Sequence, residues 1–262
     1  METSLLHGAS IASPVPATAS LHIGTSTQVH NTAQQSTAAW QTPSPAAWST
    51  APTDPDSLRS AQAISDTLVN SLATVQPAIC PIDIASDCID LYMQYAFPTA
   101  PLVHEVRLRS DALYFFASTH PAAVFETASG NQGILLVRGF TLLTSLCASV
   151  SSMMPAPRLA YGNMIDRLFL KASRDMLKIY EDFDLEFPDA TSIAIRSLQS
   201  SALQHITGRK GAAFHVFGQA TLLAQSMHLY NEQAIARDDP VESKLLRLNF
   251  WASYSSDKAG QV

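Results

Sequence analysis

Residues 158–183 read RLAYGNMIDRLFLKASRDMLKIYEDF. Ile165, Leu168, Phe169, Ala172, Met176, Ile179 and Phe183 recur at steps of three and four, which is one apolar stripe of a helix. Arg167, Lys171, Arg174 and Lys178 fall at steps of four, three and four and make a basic stripe. Asp166, Asp175 and Glu181 lie close by, so the expected state of this stripe is an ordinary solvated face.

The neighbouring stretches carry the same period. Gly133 to Ser152 is apolar on most sides, which predicts a central buried helix, and Pro155 and Pro157 end it. It is also the most membrane-like run, but Arg138, Gly139 and several Ser and Thr residues favour a core helix over a span. Downstream, Pro188-Asp189 opens a helix that Gly208 closes, because glycine suits the position just past a helix end. Ala212 to Leu229 follows, then a polar loop with Asp238-Asp239-Pro240, then a last helix from Leu245 to Asp257. Upstream, helices are expected from about residue 61 to Val75 and from Asp83 to Phe97, where Pro98 stops the second. Short helical pieces fill 111–128, interrupted at Pro121. No run alternates with period two. The expected fold is all-α, a multi-helix bundle of antiparallel helix pairs.

Residues 1–60 are Ser, Thr, Ala, Pro and Gln in unpatterned order, with Glu2, Asp54, Asp56 and Arg59 the charged residues and Trp40 and Trp48 the aromatics. Such a composition does not bury enough apolar area to offset its ordering entropy, so a disordered tail over 1–60 and a helical domain over 61–262 are expected. No basic n-region with an apolar run begins the chain, so no signal peptide is expected.

Over the full 262 residues the hydrophobic fraction is 47%, the charged fraction 15% and the formal net charge -6. A sizeable core is available, whereas the electrostatic footprint of a phosphate-gripping protein is missing. Cys80, Cys88 and Cys147 are too few for a disulfide framework and lack zinc-ligand spacing, so they are expected as buried thiols in a reducing compartment.

Chemistry-bearing motifs do not emerge. There is no nucleophile elbow, phosphate loop or dinucleotide fingerprint. His104-Glu105 starts like a zincin motif, but Leu108 stands where the second His is required. The stretch 181–187, EDFDLEF, lacks the glycine a calcium loop needs, and reads as a solvated connection with its two Phe anchored in the core. His205 and His215 have no third ligand and read as ordinary histidines. No catalytic, metal or cofactor residue is assigned, and no enzyme is expected.

Three segments nevertheless resemble the fungal-specific transcription factor domain, the middle homology region that lies behind a zinc-cluster DNA-binding motif. Cys88 to His104, CIDLYMQYAFPTAPLVH, is similar to the family's opening helix with spaced aromatics followed by Pro, Pro and His. Phe217 to Leu229, FGQATLLAQSMHL, resembles the family's small-residue helix ending Leu-Gly-Leu-His, with Leu222 where Arg is common and His228 where Gly is common. Lys244 to Asp257 resembles its closing helix through Phe250, Trp251, Tyr254 and Asp257, while Lys244 and Arg247 keep part of the basic run.

The resemblance implies a nuclear regulatory domain that controls transcription by RNA polymerase II. It implies zinc and DNA binding only in full-length relatives, through a six-cysteine cluster absent from these residues. The family domain also runs beyond its last aromatic helix, so a C-terminally truncated domain is expected here. Expected partners are a second copy, a transcriptional co-regulator or a small-molecule effector, with no membrane. The alternative is a helical effector-binding or adaptor protein without DNA binding. Trp251 is expected to be buried against the Ala212–Leu229 helix, with Gly218, Ala220 and Ala224 leaving room for its ring.

Overall fold

A computed structural model describes residues 55–75, 79–117, 124–128 and 131–259. They are all-α, in packed antiparallel helix pairs, and among them there is no strand. The order is α1 (Pro55–Ala73), α2 (Pro81–Leu91), a π-helical turn (Tyr92–Ala96), α3 (Glu105–Phe116), α4 (Asn131–Met153), α5 (Gly162–Glu186), α6 (Ala190–Thr207), α7 (Lys210–Ser226), α8 (Glu232–Ile235) and α9 (Pro240–Ala259). The disorder expected of the N-terminal segment lies outside the described residues as far as residue 54. Pro55 to Ser60 are helical instead, with Pro55 at the start of α1, where its fixed φ suits a helix.

Helix α4 is central, as its composition requires. It packs on α5 and α6, and Ile134, Val137, Phe140, Leu143, Leu146, Cys147 and Val150 are buried. Three of its buried hydroxyls are satisfied locally: Thr141, Thr144 and Ser151 donate to the carbonyls of Val137, Phe140 and Cys147 at 2.7, 2.7 and 2.6 Å, while Ser145 Oγ and Ser149 Oγ are buried without a partner. Phe140 also closes an aromatic knot, edge-on to Phe115 at 5.2 Å and to Phe125 at 5.7 Å.

The amphipathic helix starts later than expected, at Gly162 rather than near Arg158. Residues 155–161 form turns, and Gly162 passes so close to α4 that a Cβ there would lie 2.6 Å from the Ser151 carbonyl oxygen. Its end also moves, from Phe183 to Glu186, because Pro188 rather than the acidic residues stops it. Tyr180 bends the helix, with φ -128° and ψ 17°. Helix α6 matches the expected limits: Asp189 and Ser192 form a reciprocal capping box, and Gly208 ends it in the left-handed region at φ 66°.

Helix α2 does not run straight to Phe97. It widens into the π turn, where the Phe97 N–H donates to the Tyr92 carbonyl five residues back at 2.8 Å. The Tyr92 hydroxyl donates to the Ala100 carbonyl and accepts from the Leu102 N–H at 3.3 Å, tying this turn to the proline-rich segment. Burial pushes the Tyr92 hydroxyl up to about 12.

The last helices build a smaller core of Ala190, Ile193, Ala220, Leu223, Ala224, Leu229, Ile235 and Leu246. Helix α7 ends in a Schellman motif: the Leu229 N–H reaches the Ala224 carbonyl at 3.0 Å and the His228 N–H reaches Gln225 at 2.9 Å. The residue in the left-handed position is His228, at φ 54°, where a glycine would carry no Cβ penalty.

Candidate interaction site

The solvated stripe of α5 is part of a groove. It lies between α5 and the last turn of α6, has a volume of about 570 Å³, and has Leu170, Leu203 and Ile206 as its apolar lining. Arg167, Lys171, Arg174, Lys178 and Arg209 supply five cations around it, against one carboxylate, Asp175. Lys171 Nζ lies 2.7 Å and Lys178 Nζ 2.9 Å from the Asp175 oxygens. Partial burial would raise the Asp175 carboxyl, but the two ammonium groups outweigh it and hold it below the ordinary carboxylate value. Arg167, Arg174 and Arg209 form no ion pair among the described residues, so the rim keeps a net positive field. Periodicity showed the stripe. It could not show Arg209, which the turn at Gly208 brings alongside from α6.

A second, smaller groove of about 350 Å³ follows directly and shares Lys178, with Glu181, Asp182, Phe183 and Phe187 in its lining. The acidic stretch is therefore not a solvated connection. It is the end of α5, with Phe183 buried and its ring 5.0 Å from Phe187. Asp182, Leu185 and Glu186 point outward, and Asp184 is completely buried. Burial of Asp184 corrects the sequence expectation, and its cause is a charge cluster drawn from three helices.

Arg138 of α4 donates through Nε and Nη2 to Asp184 Oδ1 at 3.1 and 2.7 Å, through Nη1 to Asp189 at 2.8 Å, and through Nη2 to the Phe187 carbonyl at 2.7 Å. Arg196 of α6 donates through Nη1 to Asp184 Oδ2 at 2.5 Å. Ser192 Oγ adds a hydrogen bond to Asp184 at 2.7 Å. Burial opposes the charge on Arg138, yet Asp189 and Asp184 outweigh that and stabilise the guanidinium. Two arginines and two aspartates balance to zero, so the cluster pins the α5–α6 corner without a net buried charge. Arg196 Nε and Nη2 are buried without a hydrogen-bond partner.

The remaining expected features separate. His205 and His215 are both exposed. His104 caps α3 by accepting from the Arg107 N–H at 3.4 Å. Among the described residues no three His, Cys, Asp or Glu side chains gather in a metal-holding group. Cys88 and Cys147 are buried as expected, and burial together with a hydrogen bond between them raises the Cys147 thiol. Cys80 is exposed instead, because it precedes Pro81 at the N-terminus of α2 rather than lying on its inner face.

Trp251 is 55% exposed, contrary to expectation. The inner face of α9 is taken by Leu246, Asn249 and Ser253, and a residue two positions past Asn249 is rotated about 200° from it. Gly218 supplies no pocket for the ring: a Cβ there would meet nothing within 4 Å. Trp251 instead packs edge-on to Phe250 and Tyr254, at 5.5 and 5.9 Å, on the outer side.

The three segments that carried the family resemblance do meet. Asn249 of α9 donates to the Leu102 carbonyl at 3.3 Å, and Leu246 packs with Ala220, Leu223 and Ala224 of α7. No family model, curated protein or solved structure matches the chain.

Proposed function

We propose that this chain is the regulatory domain of a fungal zinc-cluster transcription factor, acting in the nucleus on transcription by RNA polymerase II. One observation carries the reading. Cys88–His104, α7 and α9 resemble three family segments in the right order, and α9 touches both of the others, the first through the hydrogen bond from Asn249 to the Leu102 carbonyl and α7 through Leu246.

On this reading the chain supplies no DNA-reading element and no zinc ligand of its own. Base recognition requires side chains placed in a groove, and the cluster that supplies them belongs to full-length relatives. What the chain contributes is a helical scaffold and a partner surface, and no catalysis. The test is to tether it to a heterologous DNA-binding module upstream of a reporter. A change in reporter output that depends on the α5 or α9 surface supports the reading. Unchanged output, with no in-frame six-cysteine cluster encoded upstream of Met1, sinks it and leaves the helical adaptor.

A further inference from the structure

Cys88 of α2 and Cys147 of α4 lie fully buried in the main core, on helices that pack together, with their thiols within hydrogen-bond reach of each other. One half-buried side chain bridges the two helices beside them. Tyr161 stands at the turn that leads into α5 and packs on the same core. The next residue, Gly162, lies against the Ser151 carbonyl, and Ser151 is one helical turn past Cys147 on the same face of α4. The Tyr161 hydroxyl donates to Asp87 at 2.6 Å, and Asp87 immediately precedes Cys88. Burial raises this hydroxyl above its ordinary value, and Asp87, Cys88 and Cys147 add to the rise, so both sulfurs lie within its field. We infer that Cys88 and Cys147 are a redox pair that closes to a disulfide between α2 and α4, with Tyr161 as the gate that admits the oxidant.

The oxidant is a small peroxide. One sulfur, as its thiolate, attacks a peroxide oxygen and breaks the O–O bond. That sulfur becomes a sulfenic acid, and the departing hydroxide takes the released proton and leaves as water. The second sulfur attacks the sulfenic sulfur, forms the S–S bond and expels the hydroxyl, which also leaves as water with the second thiol's proton. Two thiols give up two electrons and two protons, and one hydrogen peroxide becomes two waters. Rotation about the two Cα–Cβ bonds closes the sulfurs from contact to about 2 Å.

Burial sets the rate. The thiolate is the nucleophile, and burial, with the hydrogen bond to Cys88, pushes the Cys147 thiol up and keeps it protonated. The pair is inert while Tyr161 covers it, and it reacts when the turn at 155–161 lifts the ring away. Cys80 is exposed but does not compete as a partner, because eight residues of α2 put it about 12 Å along the helix from Cys88, beyond disulfide reach. The inference does not rest on the transcription-factor reading and would hold equally for an adaptor.

The test uses the full chain with Cys80→Ser, which removes the exposed thiol and with it cross-links between molecules. The folded chain is treated with hydrogen peroxide and its peptides are mapped by mass spectrometry without reduction. The expected product is one peptide pair joined through Cys88 and Cys147, lighter by two hydrogen atoms and separated by a dithiol reductant. Its urea midpoint should rise, because the cross-link closes a long loop of the unfolded chain. Tyr161→Ala should speed disulfide formation about tenfold or more. Tyr161→Phe keeps the ring but loses the bond to Asp87, so it should give a smaller acceleration, and it carries the test if the alanine variant does not fold. Leu246→Ala loosens the other core, away from the pair, and should leave the rate unchanged. The inference is overturned if native and Tyr161 variants yield no Cys88–Cys147 peptide. It is overturned equally if Tyr161 substitution leaves the rate unaltered, or if Leu246→Ala accelerates the reaction as much as Tyr161→Ala, since access would then come from general unfolding.

Discussion

Asp184 Oδ2 lies 2.5 Å from Arg196 Nη1, and neither side chain has any exposure to solvent. Its other oxygen receives Arg138 and Ser192, so one carboxylate holds two buried guanidinium groups to the end of α5. Removing the negative charge leaves both arginines buried and under-compensated. Asp184→Asn is therefore expected to lose about 3–5 kcal/mol, a large share of a domain's total stability. Asp175→Asn breaks two exposed lysine pairs and should lose no more than about 1 kcal/mol. Urea denaturation of both variants makes the comparison, and equal losses would remove the cluster from its structural role.

Asp111 gives a pH dependence of definite sign. Burial against α4 lifts its carboxyl to about 6, and the nearby Arg107 only partly offsets this. The folded state then keeps a proton that the unfolded chain has released, so this group's contribution to stability falls as pH rises from about 4 to about 6 and stays low above that. Asp111→Asn should match the native chain near pH 4 and be the more stable of the two near pH 7. Urea midpoints at both values decide it, and a difference independent of pH would show that Asp111 titrates as an ordinary carboxylate. Gly139 makes the same neighbourhood tight, since a Cβ there would lie 3.2 Å from Asp111 Oδ2.

His228 sits at φ 54° in the left-handed position that closes α7. A β-carbon in that region costs about 1 kcal/mol or more, which glycine avoids. The histidine recovers part of it through a 2.8 Å contact between Nδ1 and the Tyr230 hydroxyl. His228→Gly should raise the melting temperature by a few degrees, while His228→Val, branched at the β-carbon, should lower it. A melting temperature lowered by glycine would mean that the Tyr230 contact outweighs the backbone strain.

The helical period decided most of this fold from sequence. Residues 165–183 and 133–152 carried enough apolar repeats to fix which elements exist and which faces turn inward. Boundaries were less legible where a tertiary contact set them: the start of α5 depends on how closely Gly162 passes Ser151, and the π turn depends on the Tyr92 hydroxyl reaching Ala100. The acidic stretch was misread because the burial of Asp184 rests on two arginines that lie 46 residues before it and 12 after it. The basic stripe was visible at its spacing, but the groove required α6 alongside, which no local pattern encodes. Trp251 failed for a related reason: its aromatic neighbours were read as an inward stripe, whereas Leu246, Asn249 and Ser253 form the buried one.

That last correction reverses an expected mutational outcome. A buried tryptophan truncated to alanine would lose about 3–5 kcal/mol and leave an insoluble protein. Trp251 is half exposed and loses only its edge contacts with Phe250 and Tyr254, which are worth about 0.5–1.5 kcal/mol each at most. Trp251→Ala should therefore stay soluble and folded. Leu246→Ala, one helical turn nearer the start of α9, removes a fully buried side chain from the small core and should lose about 2–5 kcal/mol. Asn249→Ala falls between, because it gives up the hydrogen bonds to the Leu102 and Leu245 carbonyls, at 3.3 and 2.9 Å, that dock α9 on the proline-rich segment. The ranking Leu246, Asn249, Trp251 is read directly from denaturation midpoints of the three alanine variants. If Trp251→Ala proves the most damaging of the three, α9 is rotated from the orientation described, with its aromatic face turned inward against α7.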